Sequence, residues 1–408
     1  LGLSASFRNN LVLAGIGSLA LAALAPLPTL AAPGITLQAS FSADGSNSGN
    51  FPIKALTAAG NGLYYGPTSN GGANGNGAIF VFDPTTGSIT FQGSLPGSSG
   101  DASELTAAGN SLYYFTMSAG GPTGNGSIFS FDSTTSSIIL QASFTGSNGS
   151  TPKAALIAAG NGLYYGTTSS GGANGVGSIF AFDSTTGSIT LRGSFTVSNG
   201  ANPSAALTAA GNGLYYGTTD NGGAVPGSRG GIFAFDSATG SITLQDTFTG
   251  PTGANPVAAL TAAGNGLYYG TTRFGGANDA GAIFAFESTT GSIALQDSYT
   301  GANGAEPLSA MIAAGNGLYY GTTDYGGDNN KGSVYEFNSA TGLITLKSSF
   351  TGANGSFPRS QLTSAGNGLY YGTALGGVNN TGAIFAFDSG VPDSNPVPGP
   401  LPLMGAGA

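Results

Sequence analysis

A fragment out of place constrains this chain more than any other feature: Ile35-Thr36-Leu37-Gln38-Ala39-Ser40-Phe41, near the start, is the piece that the last internal repeat lacks. The triplet Leu-Tyr-Tyr recurs with its leucine at Leu63, Leu112, Leu163, Leu214, Leu267, Leu318 and Leu369, in steps of 49, 51, 51, 53, 51 and 51 residues. Seven copies of one unit therefore fill the chain, and a period of this size marks solenoids, propellers or arrays.

The third unit reads as four short strands, about Ala154 to Ala159, Leu163 to Thr168, Ser178 to Phe182 and Ser188 to Phe195, separated by Gly, Asn, Asp and Ser clusters. Gly160-Asn161-Gly162 supplies a tight hairpin between the first two, because Gly and Asn accept positive φ at little cost. Asp183-Ser184-Thr185-Thr186-Gly187 turns the third into the fourth. Polarity then orders the strands. The first is small and smooth, as in Ala205-Ala206-Leu207-Thr208-Ala209-Ala210, which suits strands crowded about an axis. The second and third carry bulk on both faces, and the fourth alternates as an outer edge does. This gradient is that of a radial stack of four-stranded antiparallel blades.

The seventh unit ends after Ala383-Ile384-Phe385-Ala386-Phe387-Asp388 with no fourth strand, and the displaced fragment is a fourth strand without an owner. Joining them closes a ring. The expected fold is all-β, a seven-bladed β-propeller whose N-terminal strand completes the last blade. The rival is a β-solenoid of three 17-residue coils per unit, which would leave the displaced strand unexplained.

Composition excludes much chemistry. With no His and no Cys, the chain builds no Ser-His-Asp triad, cysteine nucleophile or zinc site of the common nitrogen and sulfur type. A net charge of −9 argues against nucleic acid. Carboxylate chemistry remains, since 18 Asp and Glu are present and paired carboxylates suffice to cleave glycosidic bonds. Yet Asp83, Asp132, Asp183, Asp236, Glu287, Asn338 and Asp388 share one repeat position, which points to a turn role. Fourteen of the 17 tyrosines lie in the repeated Tyr-Tyr pair and are expected to pack between blades rather than stack on sugars. The double glycines, such as Gly171-Gly172 and Gly326-Gly327, match no phosphate-binding fingerprint.

Residues 1–31, with Arg8 before the apolar run Leu11 to Ala25, have the layout of a secretory signal peptide, and the start at Leu1 is expected to be short of its initiator. Residues 32–389 are assigned to the propeller and 390–408 to a Pro-rich linker. The last stretch, Val397-Pro398-Gly399-Pro400-Leu401-Pro402-Leu403, resembles the opening of a PEP-CTERM sorting signal, truncated before its apolar helix and basic tail. That resemblance implies an exosortase-type sorting partner when the signal is complete. The core Tyr165-Gly166-Thr167-Thr168, Gly171-Gly172, Gly177-Ser178-Ile179-Phe180 resembles the GloVer tandem repeat of "choice-of-anchor" bacterial surface proteins. It implies a secreted protein, extracellular or on the surface of a Gram-negative-type bacterium, and carries no catalytic residues over. Unit two departs from it at Phe115 and Met117, so a reshaped loop is expected there.

The face bearing the longer loops is the one that varies between units. It gathers Asp220, Arg229, Arg273, Phe274, Asp279, Asp324, Tyr325, Asp328 and Lys331 as candidate ligand-binding residues. A cation such as calcium is weighed at Asp324, Asp328 and Asn329, against a solvated loop. The expectation drawn is a non-enzymatic module of the cell surface or matrix, with exopolysaccharide or a surface protein as partner, no cofactor, no nucleic acid and no membrane span. The alternative is a carboxylate-dependent polysaccharide hydrolase or lyase on the propeller scaffold.

Overall fold

The computed structural model describes residues 33–42, 49–97, 100–224 and 227–391. The leader segment and the tail expected to carry the sorting signal lie outside the described residues. Each repeat forms one antiparallel sheet. In the third, the strands are Ile157–Gly160, Leu163–Ser170, Ser178–Asp183 and Ser188–Ser194, hydrogen-bonded in chain order from inside to outside. The first hairpin pairs Gly160 with Leu163, leaving Asn161 and Gly162 as a two-residue loop with φ of 51° and 76°. Two positive φ values make the type I′ turn whose twist matches the strands, and Asn-Gly is the pair that adopts it most cheaply.

The last blade is completed by Gly34–Ser40, which pairs antiparallel with Ala383–Asp388, setting Ile35 opposite Phe387 and Leu37 opposite Phe385. The fold is thus a seven-bladed propeller closed by its N-terminal strand, and the solenoid is excluded. Each complete outer strand carries a one-residue bulge, as at Arg192, where Ile179 pairs with Gly193 but Phe180 with Leu191. A bulge twists an edge strand out of the flat geometry that would recruit another chain.

The core lies between blades. Tyr165, Ile179, Ala181 and Phe195 of the third blade pack against Leu207, Tyr215, Phe233 and Phe235 of the fourth. The repeated Tyr-Tyr pair explains the ring geometry. The second tyrosine of each blade meets the first of the next, from Tyr65 with Tyr113 to Tyr320 with Tyr370, and Tyr371 meets Tyr64 across the closure, with centroids 5.1–5.4 Å apart. Tilted and edge-on contacts of this kind are favoured by the ring quadrupole. The glycine after the pair is required by packing, since a methyl group on Gly166 would stand 2.5 Å from the tip of the Phe180 ring.

Blade two shows how the pattern tolerates an exception. Elsewhere an aromatic just past one outer strand stands edge-on to the third-strand aromatic of the next blade, as Phe144 does to Phe180 at 4.8 Å. Before blade two that position is Leu95, and Phe115 replaces the motif glycine. The Phe115 ring stacks on Phe129 at 5.7 Å and shares one buried cluster with Leu95. Volume absent from one repeat is supplied by the next, and Phe115 and Met117 serve the core rather than reshaping a loop.

The first strand differs from the expectation. Residues 154–156 are not in the ladder, which is interrupted between Ser150–Pro152 and Ile157–Gly160. Their carbonyls are bonded instead by threonines of the preceding blade. Thr116 Oγ1 donates to Ala154 O at 3.2 Å and Thr106 Oγ1 to Leu156 O at 2.9 Å. The threonine that follows the Tyr-Tyr pair by two residues and the threonine of the innermost strand thus supply donors to two of the three carbonyls of the segment that leaves its sheet.

Candidate functional site: the channel mouth

The segments that leave the ladder line the axis, where they enclose a cavity of about 260 Å³ to which all seven blades contribute. The residue three before each inner leucine or methionine faces it in six blades: Ile53, Lys153, Ser204, Val257, Leu308 and Arg359. Lys54, Glu104 and Gln361, from neighbouring positions of the same segment, also line it. In a chain with 7% charged residues, this gathers Lys54, Lys153, Arg359 and Glu104 about one opening.

The residue following the Tyr-Tyr-Gly-Thr-Thr run is Asp220, Arg273 and Asp324 in blades four, five and six, and two of these bond to residues that line the cavity, Asp220 to Ser204 and Asp324 to Arg359. Asp324 is 1% exposed and its carboxylate accepts from Nε and Nη2 of Arg359 at 3.0–3.1 Å. Arg273 donates to Glu306 Oε2 at 2.9–3.0 Å and lies 4.7 Å from the centre of the Phe274 ring. Each ion pair spans two blades, five to six and six to seven. Among the described residues Asp220 has no ion-pair partner. Its Oδ1 accepts from Ser204 Oγ at 2.7 Å, and burial pushes its carboxyl up to about 6, against that hydrogen bond and the positive charge of Lys153.

The other candidates fall elsewhere. Tyr325 stands edge-on to Phe357 at 5.4 Å. Lys331 Nζ donates to Thr351 O at 3.1 Å, and exposed Asp328 contributes its backbone N–H to Ser349 Oγ. Arg229 and Asp279 line a separate open groove of about 680 Å³ between blades four and five. Asp279 Oδ1 there accepts from Gly275 N at 2.9 Å. The calcium arrangement is not assembled. The Asp324 carboxylate belongs to Arg359, and Asn329 Nδ2 donates to Phe350 O. Among the described residues no three of His, Cys, Asp or Glu gather to hold a metal.

The repeated acids at the outer turn are structural. Asp183 Oδ1 accepts from both N and Oγ1 of Thr185, and these bonds, repeated at Asp83 and Asp132, hold the carboxyls below their ordinary range.

Sequence reasoning singled out Asp220, Arg273 and Asp324 but missed Lys54, Glu104, Lys153, Glu306, Arg359 and Gln361. The signal was present. Aligning the repeats on the inner leucine shows a column of Ile53, Ala102, Lys153, Ser204, Val257, Leu308 and Arg359, too varied for a packing position. One smooth unit, that of blade four, hid it.

Solved structures share the fold. An oligogalacturonate lyase from Vibrio parahaemolyticus is 9% identical, with 87% of this chain and 93% of that one covered at a TM-score of 0.53. The extracellular domain of a one-component system from B. thetaiotaomicron is 13% identical, with 85% and 42% covered at 0.53. TolB from Acinetobacter baumannii is 15% identical, with 66% and 59% covered at 0.43. This chain thus spans less than two thirds of TolB and of the one-component protein. At such identities the likeness is one of fold. No curated protein matches the chain. The expectation that the chain is not an enzyme is corrected here: the architecture is shared with a lyase over almost that protein's whole length, so it gives no ground for excluding catalysis. Family membership is shown by sequence, since the Gloeobacter/Verrucomicrobia repeat matches residues 51–268 and 226–394, and the chain belongs to that repeat family.

Proposed function

We propose that the chain is a secreted or surface-associated polysaccharide-processing protein, which takes a glycan at the channel mouth and cleaves it by carboxylate chemistry. The observation that supports this is the gathering of Lys54, Glu104, Lys153 and Arg359 at one cavity, with Asp220 beside it behind Ser204. The fold shared with an oligogalacturonate lyase favours the same reading.

Glycosidic cleavage needs a proton delivered to the leaving oxygen and a second group that takes a proton or stabilises positive charge. A carboxyl with a pKa of about 6 is poised for the first task near neutral pH. Glu104, lining the cavity, is the second carboxylate.

The test is incubation of the purified chain with a panel of neutral and acidic polysaccharides, following new reducing ends and the ultraviolet absorbance of a new uronate double bond. The first signal alone marks hydrolysis and both together mark elimination. Asp220→Asn is expected to slow either by ~10²–10⁴-fold. A panel left uncut by the wild-type chain overturns the reading.

A further inference from the structure

We propose that Lys54 and Lys153 form an anion-binding subsite at the channel mouth, so that the glycan taken there carries carboxylate or sulfate groups. The inference rests on the mouth being the ligand site, and names the class of ligand it takes.

Lys54 comes from blade one and Lys153 from blade three, and both line the axial cavity. They are brought together: Lys54 Nζ donates to the backbone carbonyl of Lys153 at 3.2 Å. Neither ammonium has a carboxylate within ion-pair distance among the described residues, whereas Arg273, Lys347 and Arg359 are each paired with one. Lys331 and Arg192 are committed to the carbonyls of Thr351 and Ser237. Lys54, like Lys331, gives one donor to a carbonyl, but among the described residues no ion pair neutralises either lysine of the mouth. The single bond from Lys54 leaves further ammonium donors free, because an ammonium carries three.

The rest of the protein sharpens the contrast. A chain of net charge −9 repels polyanions over most of its surface, so a local pair of cations in a concave site focuses an anionic ligand there. The mouth is also two-sided. Going round the ring, blades seven, one, two and three contribute Arg359, Lys54, Glu104 and Lys153, while blades five and six contribute Val257 and Leu308. An apolar arc facing a cationic one fits a pyranose ring that carries an acidic substituent, and fits an uncharged glucan or a bare anion less well.

The full chain is titrated calorimetrically with oligogalacturonate, with a sulfated dextran oligosaccharide, with an uncharged dextran oligosaccharide of the same length and with inorganic sulfate. Lys54→Gln and Lys153→Gln change side chains that no buried contact requires, and the Lys54 carbonyl bonded by Thr373 is retained. Lys331→Gln, outside the cavity, is the control. The expected result is that at least one acidic oligosaccharide binds. Its affinity should fall at least tenfold in each channel variant and with rising salt, and stay unchanged in the control. Preference between the two acidic probes identifies carboxylate or sulfate as the group recognised. Equal affinity for the uncharged oligosaccharide, indifference to both substitutions, equal strength for inorganic sulfate, or no binding by any probe overturns the proposal. Acidic binding without cleavage sinks the processing function and leaves this subsite standing; cleavage of neutral glycans alone does the reverse.

Discussion

Thr363 Oγ1 donates to the carbonyl of Leu56 at 2.7 Å, a bond between residues 307 apart in sequence that ties the last blade to the first at the axis. It belongs to a set found at five of the seven blade junctions, with Thr57 bonded to Leu105, Thr106 to Leu156, Thr208 to Leu260 and Thr261 to Met311, while blades three and six carry Ile157 and Ile312 at that position. A second tier starts from the motif threonine, as Thr373 Oγ1 to Lys54 O shows at the closure. Thr363→Val is expected to lower stability by about 1 kcal/mol, the net worth of one neutral hydrogen bond. Urea unfolding reads this as a shift in midpoint at constant slope.

Closure at the outside rests on the N-terminal strand. Removing residues 34–40 strips Ala383–Asp388 of its partner and leaves a third strand of Ile and Phe as an open edge. The truncated chain is expected to aggregate, or to lose its single cooperative melt, in size-exclusion chromatography and calorimetry. An unchanged melt would show that the ring is held elsewhere.

Leu95 and Phe115 are a compensating pair, both in the cluster between blades one and two. Phe115→Gly is expected to cost about 3–5 kcal/mol through the cavity it leaves. Adding Leu95→Phe restores the arrangement of the other blades and should recover much of that loss. A double-mutant cycle measures the coupling, and strict additivity would refute the compensation.

The pair Asp324 and Arg359 holds blades six and seven. Arg359→Met leaves a carboxylate 1% exposed without its cation. The expected cost is about 2 kcal/mol, below the ~3–5 of a fully buried pair because the arginine side chain is 39% exposed. Combining it with Asp324→Leu should return most of the stability, which chemical denaturation can follow.

Asp220 makes stability depend on pH. Its carboxyl is held at about 6 in the fold against 3.8 ordinarily, so the folded state binds the proton more tightly than the unfolded one. Stability from this group is full below about pH 4 and is lost as pH rises to about 6, on the order of 2 kcal/mol after allowance for its partial exposure. Melting temperatures across that window should fall more steeply for the wild type than for Asp220→Asn. Equal slopes would show that the carboxyl is not held protonated.

The repeat made some features readable and concealed others. Asn161-Gly162 and Asp183 announce their turns because the conformation depends on neighbours a few residues away. The Tyr-Tyr pair announced interblade packing through bulk on both faces of one strand. The break in the ladder at Ala154 to Leu156 was not visible, because what satisfies those carbonyls is a pair of threonine hydroxyls from another repeat. Asp324 was picked out as a candidate, but its partner was not, since Arg359 lies in the following unit.

The sequence by itself determined the number of blades, the order of strands within each and the closing of the ring, because periodicity and a displaced strand are properties of the chain read in one dimension. Only the tertiary structure decided which charges meet. Lys54, Glu104, Lys153 and Arg359 belong to four different repeats, and they share a cavity because ring closure turns one column of the repeat toward one axis. Threonine hydroxyls from each neighbouring blade then hold that column off its sheet, so its side chains face the channel.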